Sequence, residues 1–97
     1  MRRPVSVPAM PRTSEPTAEQ DQIILGQALR SLRKRAEMTQ EQVAERLGVD
    51  PTFIGRLERG QRGAHWRTIR RILAAVDASV SDFAGEIDAA ENSRRRG

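Results

Sequence analysis

The chain has no cysteine, no tyrosine and a single histidine among its 97 residues. Without cysteine there is no disulfide, no thiolate metal site and no cysteine nucleophile. One histidine, His65, cannot make a His-x3-His metal pair, and no Cys, Tyr or second His stands by it to complete a nucleophile–base set. His65 reads as a cap or surface residue. Aromatics are scarce, one Trp and two Phe, and apolar residues make up 37% of the chain, enough for one modest core. No run approaches the ~20 apolar residues of a membrane span. Pro4, Pro8 and Pro11 interrupt any apolar stretch behind Arg2 and Arg3, which argues against a secretory signal. The expectation is a soluble cytoplasmic protein without cofactor, metal, catalytic residues or membrane contact.

Lysine is nearly absent too, since 16 of the 17 basic residues are arginine. The formal net charge is +4. All of it falls within residues 22–83, where 11 basic residues face 7 acidic ones, while both ends are neutral. A basic middle suits a polyanion partner. It equally suits a surface kept soluble by charge.

The chain divides into three parts. Residues 1–16 hold four of the five prolines with Ser and Thr between them, which predicts a disordered tail. Residues 17–91 are expected to form one domain. Residues 92–97, with Arg94, Arg95 and Arg96, are expected to be a frayed basic tail.

Between the tails the pattern is helical throughout, so the fold class is all-α with five helices. Thr17-x-x-Gln20 is a capping box opening the first helix, and Leu25, Leu29 and Leu32 lie on its apolar stripe. Thr39-x-x-Gln42 opens the second, with Met38 as staple and Val43, Ala44 and Leu47 inward. Gly48 stops it. Asp50 caps the third helix, Pro51 takes its first position, and Gly60 ends it. A fourth helix over about Trp66–Val76 is expected to bury Trp66 with Ile69, Ile72 and Leu73. Arg67, Arg70 and Arg71 read as its solvated face. Asp77 stands where a left-handed residue would close it. Ser79-x-x-Asp82 opens the fifth, with Val80, Phe83 and Ile87 apolar.

Two short helices joined by a glycine turn over residues 39–60 have the spacing of a DNA-binding helix-turn-helix. Ala44 is small enough for close approach, Val49 plugs the space between the helices, and Ile54 and Leu57 anchor the second one. Pro51, Thr52, Gly55, Arg56 and Arg59 are left on outer faces, where a major groove could receive them.

The strings Met38-Thr39-Gln40-Glu41-Gln42-Val43-Ala44-Glu45-Arg46-Leu47-Gly48-Val49 and Ile54-Gly55-Arg56-Leu57-Glu58-Arg59-Gly60 carry a resemblance. Residues 25–83, about 60% of the chain, resemble the Cro/lambda-repressor-like, XRE-type helix-turn-helix family. The resemblance implies a lambda-repressor-like domain with recognition helix 51–59 in the major groove. It places Gln40 where the family contacts a phosphate and buttresses that helix. Pro51, Thr52, Phe53 and Arg56 fall at base-reading or groove-lining positions. Arg56 has the fork for a guanine edge, and Phe53 suits a thymine methyl. Phe53 is equally open to burial between helices. Gln61, Arg62 and Arg59 fall near the phosphate backbone, although Arg59 also suits the C-terminal end of its own helix. Arg33 and Glu58 match a structural ion pair of some members. Pro51 and Gly55 depart from the family pattern and leave few polar readers, which shifts weight to phosphate contacts and DNA shape.

The function expected is a sequence-specific double-stranded DNA-binding transcriptional regulator, a homodimer on a palindromic operator. Val80, Phe83 and Ile87 are the candidate dimer surface. The alternative is an antitoxin or adaptor whose main partner is a protein such as a toxin, with DNA secondary. An enzyme has no support, because no phosphate-binding glycine loop, metal cluster or nucleophile–base set is present.

Overall fold

A computed structural model of the chain describes residues 17–96, so the expected disordered segment 1–16 lies outside the described residues. Among the described residues there are five helices and no strand: α1 (Ala18–Arg35), α2 (Gln40–Leu47), α3 (Pro51–Glu58), α4 (Trp66–Ala75) and α5 (Val80–Arg96). Their starts follow from local chemistry. The Gln20 N–H donates to Thr17 Oγ1 at 3.1 Å, and the Thr17 N–H donates to Gln20 Oε1 at 2.8 Å. Thr39 with Gln42 repeats the box for α2, and Ser79 with Asp82 for α5. At α3 the Thr52 N–H donates to Asp50 Oδ1 at 2.8 Å, with Pro51 behind it. Caps of this kind contribute about 1 kcal/mol each. The ends are closed by left-handed residues. Gly48 has φ 73°, and Glu37 and Asp77 both have φ 58°. Asp77 was anticipated and Glu37 was not.

The core forms where the apolar stripes meet. Leu29 and Leu32 of α1, Val43 and Leu47 of α2, and Ile54 and Leu57 of α3 belong to one buried cluster, completed by Ile69, Ile72 and Leu73 of α4. Each such side chain stabilises by about 1.5–3 kcal/mol when fully buried. Met38 and Val49 are half-buried against the cluster, in their expected staple and plug places. One close approach sets the tilt of α3. Gly26 of α1 is buried, and a Cβ there would lie 2.3 Å from the Leu57 carbonyl oxygen and 2.7 Å from that of Glu58. Only a residue without a side chain admits the end of α3 so near.

Three expectations are corrected. Gly55 is not on an outer face of α3: it is buried, because the helix turns that position toward its neighbours rather than to solvent. Trp66 is not core: it is 50% exposed. It opens α4 one turn before Ile69, beyond the last buried layer. There its ring meets Phe83 at 6.3 Å between centroids, tilted by 40°. The C-terminal segment expected to fray from residue 92 instead continues α5 as far as Arg96. Ala90 is buried, Glu86 pairs with Arg35 of α1, and the three final arginines complement the negative end of the helix dipole.

Candidate nucleic-acid interface

α3 presents Pro51, Thr52 and Arg56 as exposed residues, with Phe53 half-buried beside them. Its inner side carries Ile54 and Leu57, 2% and 1% exposed. The turn before it is built by Gly48 and by the Val49 N–H, which donates to the Ala44 carbonyl at 3.0 Å. Both helices are therefore held at a fixed angle by residues at the helix-turn-helix spacing.

Behind α3 lies an enclosed ion pair. Arg33 Nε donates to Glu58 Oε2 at 2.6 Å and Arg33 Nη2 to Glu58 Oε1 at 2.9 Å. The Glu58 side chain is only 4% exposed. Arg33 Nη1 donates to the Met38 carbonyl at 2.8 Å, and Gln40 Nε2 donates to Glu58 Oε1 at 3.0 Å. One carboxylate thus ties α1, the first residue of α2 and the end of α3 together. The hydrogen bond to Glu58 raises the Arg33 guanidinium above its ordinary range, so Arg33 keeps its charge. The structural role expected of Glu58 and the buttressing contact expected of Gln40 are both present as geometry.

Past α3 the chain turns at Gly60, and the Gln61 N–H donates to the Arg56 carbonyl at 2.9 Å. The Arg62 guanidinium lies over the Phe53 ring at 4.4 Å from its centroid, a cation–π contact. Phe53 packs against the core on one side, as the burial reading expects, and carries an arginine on the other. Arg59 Nη2 reaches Gln61 Oε1 at 3.4 Å. Gln40, Arg56, Arg59, Gln61 and Arg62 are gathered on α3 and its flanks, while Val80, Phe83 and Ile87 lie apart on α5.

Some roles were missed in the sequence. Arg71 is not simply solvated: its Nη2 donates to the Leu47 carbonyl at 2.8 Å. Arg46 Nη1 returns the tie, donating to the Ala75 carbonyl at 2.7 Å. Each arginine satisfies the open C-terminal end of the other's helix. Gly26 was also overlooked. Its signal was there: a lone glycine on the buried stripe of a helix points to close packing.

Short helices locked across a glycine turn, with a polar exposed face on the second, define a helix-turn-helix DNA-binding fold. The model of the helix-turn-helix domain family matches residues 24–84, and the chain belongs to that family. The restriction-modification controller protein C.AhdI from Aeromonas hydrophila is 33% identical, over 65% of this chain and 96% of that one, with a TM-score of 0.60. The clp gene regulator ClgR from C. glutamicum is 32% identical, over 78% and 95%, with a TM-score of 0.69. The restriction-modification controller protein C.Esp1396I was solved as a tetramer in complex with its natural 35 base-pair operator. At 22% identity, over 71% of this chain and 91% of that one, with a TM-score of 0.65, it shares the fold. A comparison with curated proteins gave no match. These relatives are regulators rather than enzymes, and the fold is that of regulators.

Proposed function

We propose that the chain is a sequence-specific double-stranded DNA-binding transcriptional regulator that lays α3 in the major groove. The carrying observation is the exposed side of α3, with Thr52 and Arg56, held rigid from behind by the Arg33–Glu58–Gln40 network. Arg56 is the candidate guanine reader, and Thr52 and Pro51 line the groove with Phe53. Gln40, Arg59, Gln61 and Arg62 are the phosphate contacts. The operator-bound structure of the fold relative C.Esp1396I supports a duplex as partner.

A homodimer on a palindrome fits the rest. Val80 is 53% exposed and Trp66 50%, and Phe83 and Ile87 are half-buried beside them on α5. A second copy would cover this apolar patch and double the DNA contacts. No helix among the described residues is long and apolar enough to cross a membrane, which is compatible with a cytoplasmic regulator.

Selection from a randomised duplex library, followed by sequencing, tests the reading. The expected result is an enriched palindrome. Arg56→Ala should weaken binding by about 1–3 kcal/mol and relax one position of the motif. Retention without any enriched motif would overturn the sequence-specific reading and favour the protein-partner alternative.

A further inference from the structure

Gly55 sits in the middle of α3 and is buried, although Thr52 and Arg56 on the same helix are exposed. What covers it is polar. A Cβ added there would lie 3.2 Å from Arg59 Nη1, 3.4 Å from Gln40 Oε1 and 3.8 Å from Arg59 Cζ. Arg59 is one turn further along, and its side chain runs back toward the N-terminus of the helix, the direction helical side chains favour. Its guanidinium therefore occupies the place that a side chain at position 55 would take.

The surroundings leave it unneutralised. Glu58 is already engaged by Arg33 and Gln40. Because Gln40 gives its Nε2 to Glu58, its oxygen is the atom left beside Gly55. Among the described residues Arg59 enters no ion pair, and its one side-chain hydrogen bond is the long one to Gln61. Most of its five N–H donors remain unengaged. The place lies on the flank of α3 that faces the first residue of α2. A recognition helix meets the wall of the groove with its flank, and the wall is sugar and phosphate.

We propose that Gly55 is a seat that draws the Arg59 guanidinium back from the end of α3 to its middle, where Arg59 binds a phosphate of the DNA backbone. Gly55 is the positioning residue and Arg59 makes the contact. The inference rests on the DNA-binding reading and adds the device that aims one cation.

The test uses the full chain with the duplex selected above and a scrambled duplex of the same length, titrated with salt. Gly55→Leu fills the seat, and Gly55→Ala intrudes on it while raising helix propensity. Arg59→Ala removes the cation, and Arg59→Lys keeps its charge. Thermal melts show which variants remain folded. Arg59→Ala and Gly55→Leu should each lose roughly tenfold in affinity on both duplexes, the worth of one charge-assisted hydrogen bond. The slope of log affinity against log salt should fall by about one per bound protomer, with the base preference kept. Gly55→Ala should fall between, Arg59→Lys should recover the slope, and Gly55→Leu should add little on top of Arg59→Ala. Folded Gly55 variants that bind like the wild type overturn the seat. A changed base preference for Arg59→Ala overturns the phosphate assignment. A wild-type chain that selects no duplex removes the DNA reading itself, so the two failures are told apart.

Discussion

Glu58 is a carboxylate on a helix that faces a polyanion, and its charge is matched before any DNA arrives. Arg33 neutralises it, and three donors fill its oxygens. Removing the acid leaves Arg33 enclosed and unpaired, so Glu58→Ala should cost about 3–5 kcal/mol. Glu58→Gln should cost less, since its amide oxygen still accepts. Urea unfolding of both variants checks this, and equal midpoints with the wild type would refute it. At position 26 the obstacle is backbone on both sides. The Leu57 and Glu58 carbonyls that a Cβ would strike cannot swing away, so Gly26→Ala should destabilise by at least about 1–3 kcal/mol. The Arg33–Glu58 pair was legible only through resemblance, because a contact between residues 25 apart leaves no local trace. Trp66 was misread for the reverse reason: helical spacing places a residue on a stripe but does not say where the core beneath it ends. Arg46 and Arg71 look like any surface arginine until two helix ends come within their reach.

At the scale of the element, the starts were the most legible part of the chain. Each box is written within four residues, as in Thr17 to Gln20 or Ser79 to Asp82, so no tertiary knowledge was needed. The extent of α5 was less so, since Asn92 and Ser93 read as poor helix formers while the support from Ala90 against α1 comes from packing. Two caps carry a charge. The Thr52 N–H holds the Asp50 carboxyl below its ordinary value of 3.8, and the Ser79 N–H does the same for Asp82. A carboxyl lowered on folding contributes stability that is complete above pH 3.8 and is lost as pH falls through the lowered value. Melting temperature should therefore drop in that acid window, and Asp50→Asn, which caps without a charge, should flatten its share of the drop. Gly85 lies inside α5 with open space where its Cβ would stand, and Glu37 carries a left-handed φ that suits glycine. Gly85→Ala should therefore stabilise by about 0.5–1 kcal/mol, and Glu37→Gly by about 1 kcal/mol. Thermal melts that fail to rise for either would contradict the assignment.

In the molecule as a whole, the helix-turn-helix was visible from the sequence because its rules are strict over residues 39–60: a small residue, a glycine, a plug and two anchors. The apolar patch of Trp66, Val80 and Phe83 needed the assembled α4 and α5 before Trp66 could join it. In the proposed homodimer, Trp66→Ser should leave the fold intact, since it removes little from the core, yet shift the chain toward monomer. Sedimentation at graded concentration reads this, and an unchanged association constant would exclude the patch from the proposed dimer.

The way α3 is fastened has a consequence for the partner rather than for the protein. With Gly26 pressing its end and one carboxylate binding it to two other helices, the reading helix has little freedom to re-tilt toward an imperfect site. Misfit must then be taken up by the duplex, through bending and twisting at steps between the contacted bases. Operators should accordingly rank by stiffness as well as by letter: replacing an uncontacted TA step with AA, all contacted bases kept, should weaken binding in a gel-shift titration.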